Sequence, residues 1–480
     1  MSPVLTQTLP SVTSFFVGAN ITDLASGSVF PGVAGTDYGV PKQTDITYLA
    51  SRGEKVIRLP VFWERLQPTL NGALDPAYLS YITSAATYAS SVGSGIILDV
   101  HNYGGYSNAG TLGSTGLPYT AFADLWARIS TALVNQAGVI GYDLMNEPIS
   151  LGSNLQPAMQ AAITAIRAKD TSHRIFVEGD GYSGTGSWTS YSENAALYTL
   201  TDPSGLLTYE GHMYNDCDNS GTHSNWALQS TDPSLDKTGT TCTSAQAVTV
   251  TTGVDRLKPF VGWCSTHAVS CMIGENGVGS DPSWITAEDN NLAYLKANNI
   301  GEIYFTAGGF YSAYAFGIEP QSTGQQPGNV IDTPQQGALE HYSGVNNSVY
   351  GVSGPTYGTS GAVSTAFTIT VHGYIAAATT ITPNDNSAGG TFSPASTTLP
   401  VGDNASATFT YTAPGAALYK ISFTNNQGWT NPASVGYSTR VDLLKEVAAG
   451  SGATPVNILS LRCVNTAWVN PIVNLRRDSD

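Results

Sequence analysis

The sequence predicts an α/β protein: a (β/α)8 TIM barrel over residues 14–343, followed by a small all-β sandwich over residues 366–440. Three observations predict it. Short apolar strands alternate eight times with amphipathic helical stretches, which implies an all-parallel sheet that can close on itself. Two of those strands end on glutamate, at Asn146-Glu147-Pro148 and at Cys271-Met-Ile-Gly-Glu275. Beyond 343 the helical periodicity stops, and only strand-like alternation punctuated by Gly, Pro and Asn remains.

The eight strands read in order as Phe15–Ala19, Lys55–Leu59, Gly95–Val100, Val139–Met145, Arg174–Glu178, Leu206–His212, Met272–Glu275 and Glu302–Phe305. Each is a short apolar run, as expected for strands buried on both faces. Pro148 cannot extend the ladder, so the fourth strand must stop there. Between strands, Asp75-Pro76 is an N-cap followed by proline at the first helical position, and Gly93 marks that helix's end. Leu125, Ile129, Leu133 and Val134 recur at helical spacing between Thr120 and Gly138. An open doubly wound sheet is the rival architecture, but Gly18-Ala-Asn-Ile-Thr22 does not resemble a nucleotide-binding glycine turn. Residues 344–365 read as a linker. Phe367–Val371, Ala407–Tyr411 and Tyr419–Phe423 read as sandwich strands. Residues 441–480 read as a partial or extra segment, expected to end inside a further module.

At 480 residues, 41% of them hydrophobic, the chain can bury a large core. Only 11% of residues are charged and the net charge is −16, a balance that disfavours nucleic acid or an anionic membrane as partner and is indifferent to a neutral polymer. No apolar run is long enough to span a membrane. Secretion is expected, and if the protein is exported its signal peptide is not among the first residues, which lack a basic segment followed by an apolar one. Of five cysteines, Cys217 and Cys242 flank a polar loop and Cys264 and Cys271 a short turn. Each pair reads as a local disulfide or as two buried thiols, with Cys463 left over. No Cys-x-x-Cys pair or histidine cluster suggests a metal, and no cofactor is expected. A monomer is expected.

Barrel enzymes carry their chemistry at the carboxyl ends of the strands. Here those ends offer Arg58, His101-Asn102-Tyr103, Asn146-Glu147, His212, Tyr214 and Glu275. Hydrolysis of a glycoside with retention needs one protonated carboxylic acid and one carboxylate about 5–5.5 Å apart. Glu275 suits the nucleophile, with Arg58 and the Tyr214 hydroxyl favouring its charge. Glu147 suits the acid and then the base, kept protonated by desolvation and by its neighbour's charge. Asn146 suits a contact to the sugar 2-hydroxyl, while His101, Asn102 and His212 suit holding hydroxyls or orienting Glu147. The histidines could instead be satisfied core residues, and Trp188 could line the cleft or belong to the core.

The segments Ile57-Arg-Leu-Pro-Val-Phe-Trp-Glu-Arg-Leu-Gln-Pro68, Leu98-Asp-Val-His-Asn-Tyr103, Tyr142-Asp-Leu-Met-Asn-Glu-Pro148, Tyr209-Glu-Gly-His-Met-Tyr214 and Ile273-Gly-Glu275 resemble, in order, those of glycoside hydrolase family 5, in the manner of its endo-β-1,4-glucanases. The resemblance implies a (β/α)8 fold, retaining hydrolysis and no cofactor. It places acid/base on Glu147 and nucleophile on Glu275, and supporting roles on Arg58, His101, Asn146, His212 and Tyr214. Those cellulases carry a tryptophan at the end of the eighth strand, and Thr306 is read at its place, with Phe310 or Tyr311 as substitutes. The sandwich resembles a bacterial Ig-like domain, read as a spacer rather than a glycan-binding module. Other substrates stay open: mannan, mixed-linkage glucan or a branched exopolysaccharide. A non-catalytic glycan-binding protein is the reading from another class.

Overall fold

The computed structural model describes residues 9–439, apart from 237–241, 243–246, 310–313, 320–331, 344–349 and a few single positions beyond 371. The expected segment 441–480 and the rings of Phe310 and Tyr311 lie outside the described residues.

Eight parallel strands close a barrel in chain order: β1 Val17–Ile21, β2 Val56–Val61, β3 Gly95–Val100, β4 Val139–Asp143, β5 Arg174–Glu178, β6 Leu207–His212, β7 Cys271–Glu275 and β8 Gly301–Ala307, with β8 pairing back to β1. Helices α1 Gln43–Arg52, α2 Pro76–Ser91, α3 Tyr119–Leu133, α4 Leu155–Arg167, α5 Thr252–His267, α6 Pro282–Ala297 and α7 Pro334–Ser343 are the longer helices among the described residues. Between β5 and β6 the crossover is made of short turns, Thr185–Ser190 and Ser192–Ala195. The local signals act as read: the Asp75 carboxylate accepts the Tyr78 N–H to cap α2, and Gly93 takes φ 76° after it.

Strand alternation builds the barrel interior in layers. Val56, Ile97, Phe176, Met272 and Ile303 pack together with Val12 as an apolar plug. Two residues further along β2, β3 and β5, on the same inward face, stand Arg58, Asp99 and Glu178, all fully buried. The layer above the plug is therefore ionic, and the strand ends above it form the rim. Gly274 occupies this level on β7, where a Cβ would lie 1.5 Å from Glu210 Oε1. A register shift between Gly211 and His212 then pairs His212 with Glu275.

Past the barrel, two four-stranded antiparallel sheets form a sandwich. The first holds β9 Gly351–Ser353, β10 Phe367–Thr370, and two strands named below; the second is ordered around β11 Thr379–Asn384. In chain order the rest are β12 Thr391–Ser393, β13 Thr397–Leu399, β14 Ser406–Thr412, β15 Leu418–Asn425 and β16 Val435–Ser438. The sheet orders are β9-β10-β14-β12 and β13-β11-β15-β16. Between them Phe367, Phe409, Ile421, Phe423 and Tyr437 form a separate core. The expected linker thus contains a strand: Gly351–Ser353 pairs with Thr368–Thr370, so the sheet begins earlier than alternation in so short a stretch could reveal. Both expected disulfides, Cys217–Cys242 and Cys264–Cys271, are present.

Candidate active site

Glu275 ends β7 with both carboxylate oxygens engaged. Arg58 Nη1 donates to Oε1 at 3.0 Å, and the Tyr214 hydroxyl donates to Oε2 at 2.8 Å. The residue is 4% exposed, so both bonds act in a setting that screens them little. Across the rim, Glu147 follows β4. Its Oε1 lies 2.8 Å from His212 Nδ1, and its backbone N–H donates to Glu178 Oε2 at 2.7 Å. His212 Nδ1 is also 3.8 Å from Glu275 Oε2, and one oxygen from each glutamate falls within 4.8 Å of the other.

Arg58 is fully buried at the centre of the ionic layer. It donates to Asn20 Oδ1, Asp143 Oδ2, Asn146 Oδ1, Glu178 Oε1 and Glu275 Oε1, and lies 3.2 Å from Asp99 and 3.0 Å from Glu210. One guanidinium thus faces five carboxylates. Such an excess of negative charge in a dry interior must be relieved by protons. Burial lifts the Asp143 carboxyl well above the usual range, with Glu210 pushing the same way and Arg58 opposing. Burial likewise lifts Glu178 to about 7, against the pull of His212 and Arg58. For His212, burial works against the charge, but Glu178, Glu275 and Glu147 outweigh it and hold the imidazole well above its ordinary value. Burial, with Glu275 adding to it, keeps the Tyr214 phenol protonated well past its usual range.

Asn146 offers one more group. Its Oδ1 accepts from Arg58, while its buried Nδ2 has no partner among the described residues. His101 is held by Asp99 at 2.7 Å through Nδ1, and its Nε2 is 3.4 Å from the Tyr103 hydroxyl.

The structure therefore gathers Arg58, Asn146, Glu147, His212, Tyr214 and Glu275, with His101 beside them. It does not bring the other two expected residues to the cleft. Asn102 spends its amide on the scaffold, accepting from the Trp63 N–H and donating to Glu64. Trp188 is fully buried, its ring 4.6 Å from Phe260 and 5.4 Å from Trp263, so it is a core residue with no face for a sugar. Trp63 and Trp284 are buried in the same way.

The reading of Thr306 is also corrected. Its side chain is buried and its hydroxyl lies 3.0 Å from that of Thr22 and 3.1 Å from Asn20 O. Phe305, one residue earlier, shares the inward face with Ile303 and is half-buried. That ring meets Tyr314, which meets Phe316, which meets Tyr214 and so leads back to Glu275. Alternation has period two, so a one-residue slip exchanges an inward ring for an outward hydroxyl.

Sequence reasoning missed Asn20, Asp99, Asp143, Glu178 and Glu210. Charge counting held a signal: acidic residues inside buried parallel strands need a partner, and Arg58 is the arginine those strands supply within reach. Among the described residues, Cys217, Asp218, His223 and Cys242 are the one group mixing thiol and imidazole at metal-binding distance, and their sulfurs are bonded to each other.

The family model described as cellulase (glycosyl hydrolase family 5) matches residues 17–310. Endo-beta-1,4-glucanase B of Emericella nidulans is 32% identical over 295 residues, covering 60% of this chain and 81% of that protein. Among solved structures, the Pseudomonas stutzeri endoglucanase Cel5A in complex with cellobiose is 31% identical with a TM-score of 0.60, covering 68% of this chain and 92% of that one. A triple mutant of an endo-beta-1,4-glucanase from Xanthomonas axonopodis pv. citri is 33% identical, also at 0.60, covering 68% and 99%.

Proposed function

The chain belongs to glycosyl hydrolase family 5, and on that premise we propose that it is a retaining endo-β-1,4-glucanase with Glu275 as nucleophile and Glu147 as acid/base. The observation that carries this assignment is the unequal treatment of two carboxylates whose oxygens lie within 4.8 Å. Glu275 accepts two hydrogen bonds from Arg58 and Tyr214, which favour an ionised attacking group. Among the described residues the Glu147 side chain hydrogen-bonds His212 alone, and it is the more open of the two, 18% exposed against 6%.

In the first step a Glu275 oxygen bonds to C1 of the sugar, the bond from C1 to the glycosidic oxygen breaks, and the Glu147 proton passes to that oxygen. In the second step Glu147 takes a proton from water, the water oxygen bonds to C1, and the Glu275 carboxylate is released. The unpartnered Nδ2 of Asn146 donates to the sugar 2-hydroxyl, a contact that tightens as charge develops at C1. The Phe305 ring underlies the sugar being cleaved, and His101 takes one of its hydroxyls.

Incubation with soluble β-1,4-glucan tests the reading. Wild type lowers viscosity faster than it releases reducing ends, as internal cleavage requires, and NMR shows the β-anomer formed first. Glu147→Gln and Glu275→Gln lose turnover. Normal turnover by both variants rejects the site, and rapid cleavage of mannan or of a branched glycan in preference to β-1,4-glucan rejects the substrate.

Two disulfides are present, and no helix among the described residues is long and apolar enough to cross a membrane. The disulfides support secretion, and the protein is read as a monomer that meets its polysaccharide outside the cell. The sandwich serves as a spacer: Trp429 is only 8% exposed and presents no platform. Retention of the isolated sandwich on insoluble glucan would overturn that role.

A further inference from the structure

We propose that Glu178 is a positioning residue that governs the acid/base step through Glu147 and His212 together. The inference rests on Glu147 being the acid/base.

Glu178 ends β5, fully buried, and each of its oxygens has a task. Oε2 accepts the backbone N–H of Glu147 at 2.7 Å. Glu147 has φ 44°, a left-handed backbone that costs a non-glycine residue energy and must be held from outside. Its N–H is turned out of the β4–β5 ladder towards the Glu178 carboxylate. Oε1 accepts from Arg58 Nη2 at 2.9 Å and lies 3.5 Å from His212 Nε2. The far nitrogen of the same imidazole, Nδ1, is the one facing Glu147. Glu178 thus touches the acid/base residue from two sides: it fixes the main chain that aims the side chain, and it sets the charge on the ring that contacts the carboxyl.

The other charged groups around Glu178 do not duplicate this. Asp99 and Asp143 lie within 4.8 Å of it, but they are bound to Arg58 and, for Asp99, also to His101. Glu210 approaches His212 Nε2 at 3.6 Å and Arg58 at 3.0 Å without reaching Glu147. Glu275 meets Arg58 from the opposite side. Glu178 is the carboxylate in direct contact with both Arg58 and the Glu147 main chain. Because burial holds its proton near neutral pH, its charge changes in the range where the enzyme works.

Two variants and two substrates test this. Glu178→Gln keeps the size but removes the charge and leaves one acceptor oxygen where Glu147 N–H and Arg58 use two; Glu178→Asp keeps the charge and both acceptors but withdraws them from Glu147. On β-1,4-glucan we expect Glu178→Gln to lower kcat roughly 10- to 100-fold with KM little changed, and to move the alkaline limb of the kcat/KM profile down by roughly one pH unit. Glu178→Asp lowers kcat with the limb unmoved. On a dinitrophenyl cellobioside, whose leaving group needs no proton, the Glu178→Gln deficit in kcat/KM shrinks, as it does for Glu147→Gln, because kcat/KM reports the first step alone. A merely structural role predicts equal losses for both variants on both substrates, with an unshifted profile, and would overturn the inference. If instead Glu147→Gln shows no dependence on the leaving group, the acid/base assignment itself fails. The two failures are therefore distinct.

Discussion

Tyr214→Phe removes one oxygen from the site and leaves the ring. The lost hydroxyl donates to Glu275 Oε2 at 2.8 Å, and the next donor, His212 Nδ1, is 3.8 Å away and cannot replace it. A hydrogen bond to a charged acceptor contributes about 1.5–3 kcal/mol, and at 1.4 kcal/mol per tenfold this sets a ceiling of roughly 10- to 100-fold on rate. The direction differs between steps. The first step consumes the negative charge of Glu275, so an unpaired carboxylate is no worse a nucleophile there. The second step regenerates that charge, and the stabilising hydroxyl is missing when it appears. Slow release of the glycosyl-enzyme should therefore dominate. With an activated aryl cellobioside, kcat and KM should fall together, and a stopped-flow burst of aryl leaving group should appear. The ring still packs against Phe316 at 6.4 Å, so the melting temperature should move by only a few degrees. A kcat within twofold of wild type and no burst would refute the assignment of Tyr214 as the group that holds Glu275.

Other expectations concern packing and charge. Phe305→Ala should raise KM for glucan about fivefold, from ~1 kcal/mol of lost ring contact, while Thr306→Val should leave KM alone and lower stability, because the hydroxyls of Thr22 and Thr306 lose each other. Calorimetry of Trp188→Ala should show ~3–5 kcal/mol of destabilisation, with KM of the folded fraction unchanged; a raised KM would return Trp188 to the cleft. Asp202 accepts a bidentate pair from Arg167. Burial alone would raise its carboxyl, but Arg167 and the N–H groups of Ser204 and Leu206 depress it below 3.8. A depressed carboxyl stabilises above its unfolded value and loses that contribution as pH falls through the folded one. Asp202→Asn should therefore melt several degrees lower at pH 7, with the gap closing below about pH 4. An equal gap at pH 7 and pH 3 would show that the charge plays no part.

Much of the fold was legible because parallel strands covered on both faces are largely apolar, and Gly95–Val100 and Arg174–Glu178 run as read. Boundaries slipped where a strand continues past its large apolar residues, as β8 does through Thr306 and Ala307. The short strand Gly351–Ser353 was lost in a stretch rich in Gly and Ser, because its evidence is a neighbour rather than a pattern. Strand-end residues could be listed from sequence, yet Asn102 and Trp188 show that a strand-end or aromatic residue need not face the cleft. An amide serves equally well to tie a loop, and an indole equally well to fill a core.

By itself the sequence determined the eight-fold alternation and the two glutamates that follow their strands, since each depends on neighbours a few residues apart, while it left the two cysteine pairs open between disulfides and buried thiols. Only the tertiary structure decided that Arg58 sits among five carboxylates, that Glu178 reaches the main chain of Glu147, and that Phe305 rather than Thr306 turns inward. Those depend on which groups closure of the barrel brings face to face, and the energies of buried charge and of ring contact are set by distances that no stretch of chain contains.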